Sequence, residues 1–416
     1  MSLIFNRGVI TESRQWVQEY TKKHEGKTYS GISIEGNKLC YPYDLVHKIG
    51  IENFDSIPPL LYIQGKINCK IKLKDYQEAC MGQLIDYPYG IFVSAPGTGK
   101  TVMTLWLIAQ LKLRTLILVN STFLLRQWEE ECIRFLEYTP GIIGDGTFTI
   151  NDITIATFQS ARKQERLDQI KDKFSLVIVD ECHRVPANTF RNVLNSIIAY
   201  YKLGITGTPK RKDGLEFIGK WLLGSKVLVN EYDDTMVPEI VLVKTGIKLP
   251  EADGYVECLN MMEEDSKLIK LIKKNIDASN NRHHLILSFR LTTVDLLTQE
   301  FPEALVVTGH TSKEDRKDLN EKVKDSKIII TTTLQEGANI PNLDTLHLIH
   351  PNNNLPMLEQ RIKRINRPLD NKKVPLVFDY WYTQGKCKGF SVQHQQMKRL
   401  AFYNNKGYKV HVISTY

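Results

Sequence analysis

Ile91-Phe92-Val93-Ser94-Ala95-Pro96-Gly97-Thr98-Gly99-Lys100-Thr101, followed by VMTLWLIAQL to Leu111, is the stretch on which the reading of this chain turns. An apolar run of strand character enters a turn holding two glycines and leaves as a helix. Gly97 and Gly99 permit a tight curl that points backbone N–H groups inward at phosphate oxygens, and the positive end of the helix adds to the attraction. Pro96 and Thr98 complete the turn. Lys100 is placed to reach the β and γ phosphates of ATP, and the Thr101 hydroxyl to ligate Mg²⁺. Ser94 stands where the usual phosphate-loop pattern has glycine.

Downstream, Leu176-Val177-Ile178-Val179-Asp180-Glu181-Cys182-His183 is an apolar strand that ends in two adjacent carboxylates. Acids delivered at the C-terminal edge of a parallel strand face the ligand crevice of such a sheet. Asp180 is then the Mg²⁺ holder, and Glu181 the base that orients and deprotonates the attacking water beside the ATP-bound ion. An Asp-Glu pair after a strand is by itself a common solvated loop; behind a phosphate loop it reads as part of an ATPase.

The rest of the chain fits this reading. With 416 residues, 42% hydrophobic and 25% charged, it has room for two or three globular domains. No apolar run reaches the roughly 20 residues of a membrane span, and the N-terminus has no secretory pattern, so a cytoplasmic protein without a membrane partner is expected. The seven cysteines are scattered with no CxxC pair, which speaks against a disulfide framework and a zinc site. A formal charge of +8 favours a polyanionic partner without naming one.

Apolar runs alternate with helical patterns from about residue 90, the rhythm of a helix-covered parallel sheet. One strand series runs Ile91 to Val93, Thr115 to Val119, Ile153 to Thr157, Leu176 to Val179 and Leu203 to Thr206. A second runs Leu285 to Ser288, Ala304 to Val307, Ile328 to Thr331, Leu346 to Ile349 and Leu376 to Phe378. The polar, proline-ended segment Asn230 to Pro238 lies between them and is the expected connection. The expected organisation is an α/β chain with a small mixed α+β N-terminal accessory domain (1–68), a first parallel-sheet domain (69–230) and a second (231–416) with a C-terminal tail.

With this pattern in view, the chain resembles the superfamily 2 helicases across residues 69 to about 380, and most closely the branch of XPB-like translocases and phage UvsW-type branched-DNA helicases. Leu73-Lys74-Asp75-Tyr76-Gln77 resembles the family's L-R-x-Y-Q segment, in which the glutamine, here Gln77, reads the adenine edge. Thr206-Gly207-Thr208-Pro209 and Arg211-Lys212-Asp213-Gly214 look like the coupling motif and the R-E-D signature, the latter with Lys for Glu. Residues Thr331 to Pro341 are similar to motif V, which brings Gly337 and Asn339 to the nucleotide. Gln360 to Arg367 resembles motif VI with Lys363 in place of glycine. Arg364 and Arg367 are then the arginine fingers that neutralise charge building on the γ-phosphate.

The resemblance implies two RecA-like domains that clasp ATP and track a nucleic-acid backbone through sequence-blind contacts. It assigns those contacts to Asn120, Ser121, Arg126, Gln127, Thr157 and Gln159 in the first half. In the second half they fall on Ser288, Phe289, Arg290, Gly309, His310, Thr311 and Thr332. The implied activity is an ATP-dependent helicase or translocase acting as a monomer on branched, forked, duplex or single-stranded DNA. Two alternatives stay open: an ATP-dependent RNA helicase, and a nucleotide-gated nucleic-acid scaffold without sustained turnover.

Overall fold

Runs that are apolar along their whole length become inner strands in this computed structural model, because a strand covered by helices on both faces has no solvent side for polar residues. The structure describes residues 3–5, 18–30, 33–35, 38–41, 43–49, 58–184, 188–207, 214–232, 235–249, 251–263, 266–279, 281–308, 326–332, 342–352, 354–366, 369, 372–383, 386–388 and 390–414. The chain divides into two compact units, residues 1–233 and 234–416.

The first unit opens with β1 (Leu3–Phe5), the hairpin of β2 (Thr21–His24) and β3 (Lys27–Ser30), then β4 (Ser33–Glu35), β5 (Lys38–Tyr41) and α1 (Tyr43–Ile49). Strands β1, β5 and β4 form a small antiparallel sheet. The Tyr43 hydroxyl ties α1 to the body of the unit: it donates to the Tyr200 carbonyl and accepts from the Lys202 N–H, both at 2.9 Å.

There follow α2 (Asp75–Leu84), β6 (Gly90–Ser94), α3 (Lys100–Leu111), β7 (Thr115–Val119), α4 (Thr122–Leu136), β8 (Gly141–Gly144), β9 (Thr147–Phe148) and β10 (Ile153–Thr157). The unit continues with α5 (Phe158–Ala161), α6 (Gln164–Ile170), β11 (Leu176–Asp180), α7 (Asn188–Ser196), β12 (Tyr201–Thr206), α8 (Glu216–Leu223) and β13 (Val227–Asn230). The sheet order is β13-β6-β12-β11-β7-β10-β8-β9, parallel except for the last pair. Every residue of β7, β10 and β11 is buried. Strand alternation splits their side chains between two cores: Ile117, Ile155 and Ile178 pack on one face, Leu116, Ala156 and Val177 on the other.

The second unit comprises β14 (Glu239–Lys248), α9 (Tyr255–Glu263), α10 (Ser266–Ala278), β15 (His284–Leu287), α11 (Leu291–Glu300), β16 (Leu305–Val307), β17 (Ile328–Thr331) and β18 (Thr345–Leu348). It closes with α12 (Leu355–Ile365), β19 (Leu376–Thr383), the short pair β20 (Lys386–Cys387) and β21 (Phe390–Ser391), α13 (Val392–Asn405) and β22 (Lys409–Ser414). Its main sheet runs β16-β17-β15-β18-β19-β14-β22, parallel throughout. The two sheets are therefore the α/β arrangement expected from the two strand series. The sequence reading had not named β13, β14 or β22. β14 carries the apolar run Ile240 to Val243 but continues through the polar Lys244-Thr245-Gly246, and β22 has no buried position, as suits the strand at the edge of the sheet. No helix among the described residues is long and apolar enough to cross a membrane.

Candidate nucleotide site and sheet edge

Strand β6 sits beside β12, and β12 beside β11, so three loops leave the C-terminal edge of the first sheet as neighbours. The first is the glycine turn. Gly97 has φ 93° and Gly99 φ 85°, left-handed values that favour glycine. The Lys100 ammonium donates to the carbonyls of Ser94 at 3.0 Å and Ala95 at 3.2 Å, which puts a cation at the mouth of the curl. Thr98 is buried and its hydroxyl donates to the Ala95 carbonyl at 2.7 Å, while Asn230 at the end of β13 donates to the Ser94 hydroxyl at 2.9 Å. Gly97 is exposed and Pro96 half-buried, and Thr101 lies half-buried in the first turn of α3.

Gln77 closes the turn from α2. Its Nε2 donates to the Thr98 carbonyl at 2.9 Å and its Oε1 accepts from the Lys74 N–H at 3.0 Å, so both ends of the amide are engaged. The Tyr76 hydroxyl also donates to that carbonyl, at 3.1 Å, and its ring stacks on Tyr232 with centroids 3.7 Å apart.

The second loop follows β11. Asp180 is buried, accepting from the Trp128 indole N–H and from the Glu181 N–H, each at 2.9 Å. Burial first, and the neighbouring Glu181 carboxylate second, push the Asp180 pKa up to about 6, against the pull of the Trp128 hydrogen bond and the Lys100 charge. Glu181 holds φ 50°, strained for a side chain of its kind. Its Oε2 lies 3.2 Å from His183 Nδ1 and accepts from the Thr206 hydroxyl at 3.4 Å. The third loop begins at Gly207 after β12, where an added Cβ would stand 3.3 Å from the Pro96 ring and 3.5 Å from the Lys100 ammonium. The two carboxylates, the lysine and the glycine turn thus converge.

This donor set suits a Mg²⁺–triphosphate. No group of three or more His, Cys, Asp or Glu among the described residues could hold a metal by itself. Mg²⁺ is usually bound through one or two carboxylates together with substrate phosphates, and Asp180 with Thr101 would meet that need.

Further along the same edge, β7 and β10 present the residues expected to meet nucleic acid. Asn120 follows β7 with both side-chain polar atoms buried and making no hydrogen bond. Ser121 caps α4 by accepting from the Leu124 N–H at 3.3 Å, and Thr157 caps α5 by accepting from the Ser160 N–H at 3.2 Å. Gln159 is exposed. Gln127 donates to Glu131 at 3.4 Å. Arg126 is engaged by two carboxylates, Glu129 at 2.7 Å and Asp145 at 2.9 Å.

In the second unit Ser288 is buried just beyond β15, accepting from the Arg290 N–H at 3.1 Å and donating to the Arg290 carbonyl at 2.9 Å, so it shapes the turn into α11. The Phe289 ring lies under the Arg361 guanidinium at 4.9 Å. Thr332 follows β17 and is half-buried, and Arg364 lies in the last turn of α12. Thr208, Pro209, Arg211, Lys212, Asp213, Gly309, His310, Thr311, Gly337, Asn339 and Arg367 lie outside the described residues.

The sequence reading gave no role to Trp128, Tyr232, Asn230 or Arg361. Trp128 falls on the same helical stripe as Leu124 and Cys132, which reads as core, and only the fold carries its N–H to Asp180.

Residues 70–211 match the family described as Type III restriction enzyme, res subunit, and residues 265–368 match the helicase conserved C-terminal domain. The chain is 29% identical over 329 residues to the probable helicase D10 of Escherichia phage T5, covering 76% of this chain and 71% of that protein. It is 26% identical over 409 residues to the DNA 3'-5' translocase XPB2 of Sulfurisphaera tokodaii, covering 84% and 90%. Among solved structures, S. cerevisiae Dbp5 bound to RNA and ADP BeF3 superposes with a TM-score of 0.61 at 15% identity, covering 83% of this chain and 90% of that one, which is a likeness of fold.

Proposed function

From the premise that this chain belongs to the superfamily 2 helicases, in the company of XPB-like and phage members, we propose that it is an ATP-dependent DNA helicase or translocase that remodels branched or duplex DNA. The observation that carries this reading is the meeting of the Lys100 turn, the Asp180–Glu181 pair and Gly207 at one sheet edge. Lys100 and the N–H groups around Gly97 and Gly99 hold the triphosphate. Mg²⁺, held by Thr101 and Asp180, would supply charge neutralisation across the β and γ phosphates. Glu181 takes a proton from the attacking water, with Thr206 and His183 fixing its carboxylate.

Arg364 and Arg367 act as arginine fingers and Gly337 and Asn339 contact the nucleotide, as motifs V and VI imply. Removing such a finger elsewhere costs about 10³ to 10⁵ in rate, so Arg367→Ala keeps nucleotide binding and loses turnover. Asn120, with its unsatisfied amide, and the hydroxyls of Ser121, Thr157 and Thr332 are the favoured backbone contacts. Arg126, already held by Glu129 and Asp145, is the least favoured of the set. The chain works as a monomer, and a place in fork processing, recombination or repair suits a motor of this kind. The name of the archaeal relative makes 3'-to-5' movement the polarity to test first.

The decisive measurement is ATP hydrolysis and strand separation on forks, four-way junctions, tailed duplexes and RNA hybrids. Stimulation by DNA is the expected outcome. Stimulation by RNA alone would make it an RNA helicase, and binding without turnover a scaffold.

A further inference from the structure

Helix α4 starts beside residues expected to meet nucleic acid and, two turns later, touches the nucleotide site. We propose that Trp128 on this helix is a positioning residue that couples the strand contacts at the head of α4 to the metal-holding carboxylate of Asp180. The inference rests on the helicase reading and deepens it.

The contact at the nucleotide end fixes an orientation. The indole N–H donates to Asp180 Oδ2 at 2.9 Å, and Oδ1 of the same carboxylate accepts from the Glu181 N–H at 2.9 Å. Each oxygen has its own donor, so the group cannot turn without losing one of them. Trp128 is 1% exposed and Asp180 8%, so water competes poorly for either bond. Filling the core between α4 and the sheet asks only for a large apolar side chain. An indole adds a single donor and no acceptor, and here that donor points at the carboxylate the Mg²⁺–triphosphate needs.

The helix that carries this contact is held as one body. Leu124, Leu125, Trp128, Cys132 and Leu136 form its buried stripe, and Ser121 caps its first turn. Arg126 straps it to Asp145, in the turn between β8 and β9, at 2.9 Å. There is no slack beneath it, since a Cβ added at Gly144 would stand 2.8 Å from Leu125 Cδ1. Trp128 lies about 10 Å along the axis from the cap. Asn120, immediately before the cap, has a buried amide that makes no hydrogen bond. A strand phosphate taken up there pulls on the end of a close-packed rod, and packed interiors transmit such a displacement rather than absorb it. It reaches Asp180 as a change in how the carboxylate faces the metal. Coupling of this kind is reciprocal: Mg²⁺–nucleotide alters strand affinity by the same factor as the strand alters nucleotide affinity.

The test measures affinity of the full chain for a fluorescent tailed DNA duplex, once with Mg²⁺ and a non-hydrolysable ATP analogue and once with neither. The readout is the ratio of the two affinities, expected at about 5- to 150-fold in the unmodified protein. Trp128→Phe keeps a ring in the core and removes the N–H. Trp128→benzothienylalanine, isosteric with sulfur in place of the N–H, decides the matter should the first variant unfold. Cys132→Ala, one turn further along the same stripe, disturbs the core without touching the carboxylate. The ratio should collapse in both Trp128 variants and survive in Cys132→Ala. A ratio preserved in the Trp128 variants overturns the proposal. So does a ratio lost in all three, which makes Trp128 a packing residue alone. DNA-stimulated ATP hydrolysis by the unmodified protein, run in parallel, reports separately on the helicase reading: its absence removes that reading and the coupling together, whereas stimulation with a ratio indifferent to Trp128 removes only the coupling.

Discussion

At the scale of the residue, the carboxylate pair after β11 divides its labour through environment. Asp180 is buried with its pKa raised to about 6, so the metal-holding anion is lost as pH falls through that value, and ATP turnover should fall with it. Bound Mg²⁺ favours the anion and should move the limb to lower pH. Trp128→Phe removes the hydrogen bond that opposes the shift, so the acid limb of kcat/KM should move to higher pH while the alkaline side stays put. An acid limb that ignored this substitution would point to a different titrating group. Glu181→Gln should retain nucleotide binding and lower kcat by about 10² to 10⁴, the usual worth of a general base. Single-turnover hydrolysis measures it directly.

At the scale of the element, the turn between β6 and α3 works because two glycines take conformations that other residues resist. Gly99→Ala would force φ 85° on a side chain and set its Cβ 2.6 Å from Gln77 Nε2. The backbone strain alone is about 1–2 kcal/mol. A lower melting temperature together with weaker nucleotide binding is expected, read by calorimetry and by titration with a fluorescent ATP analogue. Gly82, exposed in α2 with nothing within 4 Å of its would-be Cβ, gives the opposite sign. Gly82→Ala should stabilise by about 0.5–1 kcal/mol and leave ATPase alone. The same comparison explains legibility. The two turn glycines declare themselves by spacing, whereas the bonds from Gln77 to Thr98 and from Asn230 to Ser94 join elements far apart in the chain and have no local pattern.

At the scale of the whole molecule, buried histidines should make stability depend on acid, and the second unit holds a hydrogen-bonded pair of them. His284 Nδ1 lies 3.0 Å from His347 Nε2, His347 Nδ1 lies 3.0 Å from the Tyr380 hydroxyl, and Asn275 donates to that hydroxyl at 3.0 Å. Burial holds His284 down at about 4 and His347 lower than its ordinary value. Between pH 6.5 and about 4 the unfolded chain takes a proton that the folded one refuses, so this stability is present above the ordinary histidine pKa and drains away as pH falls toward 4. Urea unfolding followed across that range should show the loss, and His284→Gln should reduce it, with the other buried histidines supplying the remainder. Arg399→Met would strand the buried Asp379 carboxylate and should cost about 3–5 kcal/mol, measured in the same experiment.

The sequence by itself determined the two parallel sheets, the phosphate-shaped turn and the acidic strand end, because each depends on residues adjacent in the chain: apolar runs, paired glycines and neighbouring carboxylates. The capping of helices by Ser121 and Thr157, which the sequence reading took only as nucleic-acid contacts, came from the structure. Only the tertiary structure decided that Arg126 is held by Glu129 and Asp145 and that Trp128 reaches Asp180. Such pairings arise where strand order brings distant segments to a common edge, and the energy of a buried charge depends on those neighbours rather than on its own place in the sequence.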